Sequence, residues 1–379
     1  MMSKTLGLYL HLPFCLGKCN YCDFYSLAAP EKQETYVKTL CRELAARATS
    51  AADYVVDTVY LGGGTPTVLS PRLLVNLLET VRANYTLAPD AEITIEANPA
   101  TLTHEGLAVL RTVANRLSIG VQSTHDALLR RLGRLHTFAE AKEIILAAQA
   151  AGFDNISCDL MFGLPDQTGA QLAESIETLT ALPITHLSLY ALTVEPDTPF
   201  GRERGLVLPD EDTVADMYED SIRLLAAKGF AQYEISNFAK DGNVSRHNLR
   251  YWDCREYLGF GPAAYSYFDG VRWGMPRDIR AYLATNGEVA AVDALAQDRE
   301  ILTADDMETE YVMLRLRLAD GIDEKSFQAR FGKDFYKTYG KNMRPYIESG
   351  HIKKTASGWC LTPTGFAISN HILSDLLTF

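Results

Sequence analysis

Up to about residue 230 the chain alternates apolar, strand-like runs with segments of helical spacing, and this rhythm limits its fold more than any other feature. "LGLYLHL" (6–12) reads as a first strand. In "EKQETYVKTLCRELAARA" the residues Tyr36, Val37, Leu40, Cys41, Leu44 and Ala48 share one helical face. "YVVDTVYLGGGTP" is a strand that ends in glycines. "SPRLLVNLLETVRANY" is a helix with Ser70 as N-cap and Pro71 at its first position. "EITIEANP" and "RLSIGVQS" are strands three and four, separated by a helix that starts near Thr103 with Glu105 behind it. "FAEAKEIILAAQAAG" is a helix stopped at Gly152. "NISCDLMFGLP" and "THLSLYALT" are strands five and six, and after the helix "EDTVADMYEDSIRLLAAKG" comes a seventh extended segment, "FAQYEISNFA". Serial βα units imply parallel strands with helices outside them, in a doubly wound layer or in a complete or partial barrel.

The rhythm breaks between Arg277 and Leu302. Beyond it the spacing predicts three helices, a small hairpin and a last helix, the outline of a winged-helix-like module. The expected division is a core over 1–285, a linker over 286–302 and a mainly helical domain over 303–379. The tail aromatics Phe366 and Phe379 read equally as exposed or as packed within that module.

Apolar residues make up 47% of the chain and charged ones 22%, with a net charge of −12, which argues against nucleic acid as a partner. No stretch approaches the length of a membrane span. The N-terminal run is interrupted by His11 and reads as a strand rather than a signal peptide, so the expected location is the cytoplasm.

Three of the seven cysteines stand as C-x3-C-x2-C in "HLPFCLGKCNYCDFYS": Cys15, Cys19 and Cys22. The others (Cys41, Cys158, Cys254, Cys360) are scattered, and Cys41 and Cys158 read as small core hydrophobes. Thiolates are the soft ligands of iron–sulfur clusters and of zinc. A structural zinc site takes four closed ligands, and no second C-x-x-C pair is present. The spacing alone leaves open a three-cysteine [4Fe–4S] cluster with one free iron, a zinc knuckle completed by His11, or coincidence.

Functional groups of a barrel gather at the carboxyl ends of its strands. The cysteine loop follows strand one, and Gly62-Gly63-Gly64-Thr65 follows strand two. Glu96 ends strand three, Gln122 ends strand four, Asp159 lies in strand five and Ala191 ends strand six. Together they read as one site. Glycines let backbone approach a ligand closely, though the same run would serve as a plain strand-to-helix turn. Glu96 offers acceptors for ribose hydroxyls, or it is a rim carboxylate paired with an arginine. Asp159 is hard to dismiss in an otherwise apolar strand, because an unpaired buried carboxylate is costly.

The triad, with Tyr21 just before its last cysteine, resembles the radical S-adenosylmethionine (SAM) superfamily. "YLHLPFC", "CNYCDF", "IEANP", "GVQS", "LGRLHT", "DLMFGLP", "LSLYALT" and "HNLRYW" follow in order the pattern of its oxygen-independent coproporphyrinogen III oxidase/dehydrogenase group, and most nearly that of the heme chaperones within it. The resemblance spans nearly the whole chain. It implies a partial (β/α)6 TIM-type barrel followed by a small winged-helix-like domain. It also implies a [4Fe–4S] cluster on Cys15, Cys19 and Cys22, with SAM chelating the fourth iron, where a fourth thiolate would block it. One electron then cleaves a carbon–sulfur bond to give a 5′-deoxyadenosyl radical. Tyr9, Tyr21, Gly63, Gly64, Thr65, Glu96 and Ala191 fall on SAM-binding positions. Gln122, Arg134 and Asp159 match positions that contact a second SAM, and Arg134 also suits a propionate. The segment Gly259 to Ser266 falls where the family touches the adenine.

"HNLRYW" is a feature of the heme chaperones. The resemblance assigns His247 to heme iron, and Tyr251 and Trp252 to the porphyrin face; the residues alone read as a loop histidine with two core aromatics. Two main functions follow, a chaperone that hands heme to an apo-hemoprotein, membrane-bound respiratory proteins included, or a coproporphyrinogen III dehydrogenase; a third and weaker reading is a different radical SAM enzyme acting on another tetrapyrrole. The dehydrogenase pattern has one further cysteine where this chain has Phe24, and an N-terminal extension that is expected to be absent because strand one begins near Leu6. Both departures favour the chaperone. No catalytic residue is assigned. A cluster-dependent homodimer is compatible with the resemblance, and the electron donor is left open.

Overall fold

The computed structural model describes residues 4–377. Phe379 lies outside the described residues, and Phe366 is buried. The strands are β1 (Lys4–Leu12), β2 (Tyr54–Gly63), β3 (Leu87–Ala97), β4 (Arg116–Gln122), β5 (Asn155–Phe162) and β6 (His186–Ala191), then β7 (Ala231–Glu234), β8 (Asn237–Ala239), β9 (Tyr257–Phe260), β10 (Tyr265–Phe268), β11 (Val271–Gly274) and β12 (Gln297–Ile301). They form one 12-stranded sheet in the order β12-β11-β10-β9-β1-β2-β3-β4-β5-β6-β8-β7. β1 to β6 are adjacent, parallel and in sequence order. A doubly wound sheet reverses its order at a switch point; an unbroken run curls one way, as a barrel does. The terminal strands β12 and β7 do not pair with each other, so the barrel is partial.

Alternation along the strands separates two environments. Leu6, Leu8, Leu10 and Leu12 are fully buried and join Val37 and Leu40 of the helix Gln33–Arg47 in the main core. The intervening positions face a polar lumen, where Thr58 bonds His247, Tyr60 bonds Glu96, Ser118 bonds Asp159 and Ser157 bonds His186.

Several local expectations have their physical basis in the coordinates. Thr103 caps the helix His104–Arg111 by accepting from the Gly106 N–H. Gly152, at φ +94°, follows the helix Phe138–Ala150 in the left-handed region that favours glycine. Ser70 is the N-cap of Pro71–Asn84 by position, but its hydroxyl makes no capping bond. The seventh segment is not one strand: β7 and β8 form a tight antiparallel hairpin on β6, because no crossover helix separates them. Cys158 is a buried core residue, whereas Cys41 is only partly buried and accepts from Thr80.

Beyond β8 the sheet grows on its other side. β9 lies parallel to β1, and β10, β11 and β12 follow as an antiparallel meander. Residues 286–302, read as a linker, hold the helix Val289–Asp293 and the edge strand β12. The tail packs four main helices, Ala304–Arg315, Glu324–Phe331, Phe335–Glu348 and Ser369–Leu377, with β13 (Ile322–Asp323), β14 (Ile352–Lys354) and β15 (Gly358–Leu361) in a small sheet. It is tied to the barrel by an Arg315–Asp253 ion pair at 2.6 Å and by backbone bonds from Ile235 to Arg317 and from Ala319 to Tyr233. Among the described residues no helix is long and apolar enough to cross a membrane.

Candidate functional site

A cavity of about 580 Å³ opens at the carboxyl ends of the parallel strands, and its walls include Cys15, Cys19, Cys22, Gly63, Gly64, Thr65, Glu96, Gln122, Arg134, Asp159 and Ala191. Tyr21 also lines it and backs onto an apolar cluster of Leu128, Leu132, Met161, Leu164 and Phe200. The cysteine loop is fastened to the glycine turn by backbone bonds from Gly64 to Leu12 (3.0 Å) and from Thr65 to Phe14 (2.7 Å). Cys15 Sγ lies 3.4 Å from the Thr65 hydroxyl, and Arg134 donates to Cys19 Sγ at 3.7 Å. The Cys22 thiol is pushed up chiefly by burial, with the Cys19 and Cys15 sulfurs adding to the effect.

The glycines are required by space. A Cβ on Gly64 would stand 2.7 Å from the Phe14 carbonyl, and one on Gly63 would strike the His11 ring. Gly63 also holds φ +106°, and its N–H donates to Glu96 Oε2 at 3.2 Å. The Tyr60 hydroxyl donates to the other carboxylate oxygen at 2.7 Å. Burial pushes the Glu96 carboxyl up to about 7. Asp159 accepts from Ser118 at 3.3 Å, and burial pushes it up to about 6. Arg134 donates to the Gly120 carbonyl, and its Nε is buried without a partner. Gln122 sits at φ 68°, beside an irregularity in the β4–β5 register.

A second cavity, about 460 Å³, adjoins the first and shares Phe24, Gly63, Glu96 and Arg277 with it. Tyr9 lines this one, as do Ala263 and Tyr265 of the segment 259–266. His11, the fourth ligand a zinc knuckle would need, has both ring nitrogens engaged, by the Tyr9 hydroxyl at 3.1 Å and the Tyr25 carbonyl at 3.2 Å. Among the described residues no three His, Cys, Asp or Glu side chains converge on a single metal ion. A cubane cluster does not ask for that, since each thiolate takes a separate iron. Three grouped thiols, a glycine floor and an unpartnered guanidinium nitrogen fit a cluster with a polar ligand beside it.

The motif His247 to Trp252 lies elsewhere. It forms the helix Arg246–Trp252, capped by Ser245, and the Glu92 carboxylate accepts from the Arg246 and His247 N–H groups, each at 3.0 Å. Thr58 and Glu92 stand five and four residues before Gly63 and Glu96 on their strands, roughly 13–17 Å toward the amino end. The helix therefore closes the barrel's base. His247 is fully buried, with Nδ1 on Thr58 and Nε2 on Tyr251, both at 2.9 Å, and burial lowers its pKa to about 3. Tyr251 lines a smaller cavity, about 240 Å³, between β9–β11 and the C-terminal helices. The cysteines and the His247 motif are thus not brought into one pocket. They are linked by stacked rings, since Tyr60 stands 5.1 Å from His247 and itself bonds Glu96. Sequence reasoning missed Tyr60, Ser118, Tyr190 and Arg277 at the site; the signal for Tyr60 was its place two residues before Gly62 on the lumen face.

The profile of the Radical SAM superfamily matches residues 9–179, and that of the HemN C-terminal domain matches residues 302–368. The heme chaperone HemW of Lactococcus lactis is 35% identical over 382 residues, covering 100% of this chain and 98% of the relative. The heme chaperone HemW of Escherichia coli K12 is 36% identical, with 98% of each chain covered. Among solved structures, the coproporphyrinogen III oxidase of Escherichia coli, a radical SAM enzyme, superposes with a TM-score of 0.85, covering 99% of this chain and 90% of its own, at 24% identity. The polar lumen, the cysteine-lined rim and full-length identity to these relatives agree: the chain belongs to the radical SAM superfamily and, within it, to the heme chaperone HemW family.

Proposed function

We propose that this protein is a heme chaperone, binding heme and delivering it to apo-hemoproteins, on a scaffold that carries a [4Fe–4S] cluster and SAM. The observation that carries the reading is full-length identity to relatives named for that activity. Membership of the superfamily implies the cluster and SAM. Cys15, Cys19 and Cys22 would hold three irons. Tyr9, Tyr21, Gly63, Gly64, Thr65, Glu96 and Ala191 would hold SAM, with Gln122, Arg134 and Asp159 completing the wall. When bound there, the cluster would supply one electron for breaking a carbon–sulfur bond of SAM. The chain's own part is to orient: the Gly63 N–H and the Tyr60 hydroxyl fix the Glu96 carboxylate, and Arg134 spans Cys19 and the Gly120 carbonyl.

His247, Tyr251 and Trp252 are the heme elements of this reading. Iron ligation by His247 requires that its bond to Tyr251 or to Thr58 be exchanged for the metal. The core over 1–285, the segment 286–302 and the domain over 303–379 are the units on which we place these tasks, in the cytoplasm.

The competing reading is coproporphyrinogen III dehydrogenation. Phe24 stands where that pattern has a further cysteine, and its ring is 69% exposed at the cavity mouth. The test is anaerobic reconstitution followed by two assays on one sample, heme titration by the Soret band and turnover of coproporphyrinogen III. Heme binding without turnover is expected, and turnover of the porphyrinogen rejects the chaperone reading. His247→Ala in parallel decides the ligand: an unchanged Soret titration removes His247 from that role and leaves the function standing.

A further inference from the structure

The lumen holds one charge that the site as described does not use. Arg116 opens β4, two residues before Ser118, which lines the thiol cavity. It pairs in register with Thr94 on β3 and Asn155 on β5, one layer below Glu96 and two layers below Asp159. Its side chain is only 2% exposed, and its Nε is buried with no hydrogen-bond partner. Arg250, also buried and also with an unpartnered Nε, differs in having its guanidinium paired with a carboxylate, Asp57. Among the described residues no carboxylate stands within ion-pair distance of Arg116.

A buried cation without a paired anion destabilises a fold, and an apolar side chain of similar volume would serve packing better. The reason for Arg116 is therefore to be sought in what its charge faces. Those groups are Tyr60 of β2, Glu96 of β3, Asp159 of β5, His186 of β6, Tyr233 of β7 and His247 of the base helix. Glu92 of β3 lies one layer below Arg116, but its carboxylate is taken by the Arg246 and His247 N–H groups; the tyrosines and histidines are held neutral by burial, so Glu96 and Asp159 are the partners left. Burial drives both toward protonation, and Arg116 opposes it at each.

We propose that Arg116 is a positioning residue of the SAM cavity, a counter-charge beneath its floor that keeps Glu96 and Asp159 anionic toward a cationic sulfonium ligand and its hydroxyl groups. The inference rests on reading that cavity as the SAM site. It assigns no contact between Arg116 and the ligand; the guanidinium acts through the carboxylates above it.

The test compares Arg116→Met, Arg116→Gln and Arg116→Lys with the parent, all reconstituted anaerobically to equal iron content. SAM binding isotherms are recorded from about pH 6 to about pH 9, beside thermal melting of each chain. In the parent, affinity falls as pH drops through the range where Glu96 takes a proton. In Arg116→Met that acid limb moves up by about one pH unit, so affinity near neutrality falls about tenfold and recovers at high pH. Arg116→Lys keeps the parent profile. Arg116→Met melts at or above the parent temperature, which a merely structural arginine would not allow. Equal affinity and an unmoved acid limb in Arg116→Met overturn the proposal. If the Met variant does not fold, Arg116→Gln carries the comparison; if neither folds while Arg116→Lys does, Arg116 is a packing element and the proposal is likewise overturned. Failure of the underlying reading looks different: the parent itself then binds no SAM, or Glu96→Gln leaves SAM affinity unchanged.

Discussion

The two ends of the barrel treat polar groups in opposite ways. At the base, most buried polar groups near the His247 helix find protein partners: Arg250 meets Asp57 although its Nε is left without one, Glu92 takes two helix N–H groups, and both nitrogens of His247 are bonded. At the rim, the thiols, the Arg134 Nε and two carboxylates pushed toward neutrality line an open cavity. Unsatisfied buried polar groups are costly, so a folded chain concentrates them where a ligand will complete them. The base is built to stay shut and the rim to be filled. Replacing polar groups at the base should therefore cost stability, and at the rim it should cost ligand.

The largest effect is expected at the rim. Changing Cys15, Cys19 or Cys22 to Ala should abolish the cluster while leaving the chain folded, because none of the three belongs to the main apolar core. Iron and sulfide content after anaerobic reconstitution should fall close to zero, with far-UV circular dichroism unchanged. Full iron content in all three variants would remove the triad from its role. At the base, Asp57→Ala strands the fully buried Arg250 guanidinium and should cost about 3–5 kcal/mol. Urea unfolding at constant m-value reads this directly. A loss below about 1 kcal/mol would mean that the base is no tighter than the rim.

Much of this contrast was legible before any coordinates. The cysteine spacing, the glycine run and the strand ends placed the rim residues on one side, because the period-two alternation of parallel strands leaves few other arrangements. The parallel direction of β1 to β6 followed from the βα rhythm, but that rhythm left a doubly wound layer open, and only the family resemblance implied the unbroken order of a partial barrel. The base was not legible. "HNLRYW" offers an imidazole and two aromatic rings, which suit a porphyrin or a core equally well; only the long-range pairing of His247 with Thr58, 189 residues away, decides how it sits. The strands β9 to β12 were invisible for a related reason. They are short, and they join the sheet beside β1 through contacts no local pattern encodes. Arg116 hid in plain view, since an arginine opening a strand reads as a surface residue until its burial is known.

A smaller effect should separate binding from folding through pH. The Glu96 carboxyl, pushed up to about 7 by burial, is protonated below that value and then loses an acceptor for the ligand. SAM affinity should therefore fall as pH drops through about 7, and Glu96→Gln should flatten that limb while lowering affinity at high pH. Stability of the ligand-free chain runs the other way. The folded state keeps this proton to a higher pH than the unfolded state, so stability is fullest below the ordinary carboxylate range and declines as pH rises to about 7. Isotherms and urea midpoints on the same pH series should slope in opposite directions. Parallel slopes would mean that Glu96 serves the fold rather than the ligand.

The smallest effect is expected where the rim stores strain in its backbone. Gln122 ends β4 at φ 68°, the left-handed region that costs a non-glycine residue about 1 kcal/mol or somewhat more. A Cβ on Gly120 would lie 3.0 Å from the Gln122 amide nitrogen, so this turn holds the side chain against the strand that faces the cavity. Gln122→Gly removes the strain and the amide together. At the base such a change would only loosen the chain; here it should raise the urea midpoint slightly, or leave it level as glycine's greater unfolded-state entropy offsets the relief. SAM affinity should weaken severalfold. Gln122→Ala separates the two effects, because it keeps the strained φ and loses only the amide. If the alanine variant binds SAM as the parent does while the glycine variant does not, backbone shape rather than the amide is what the rim requires of this residue.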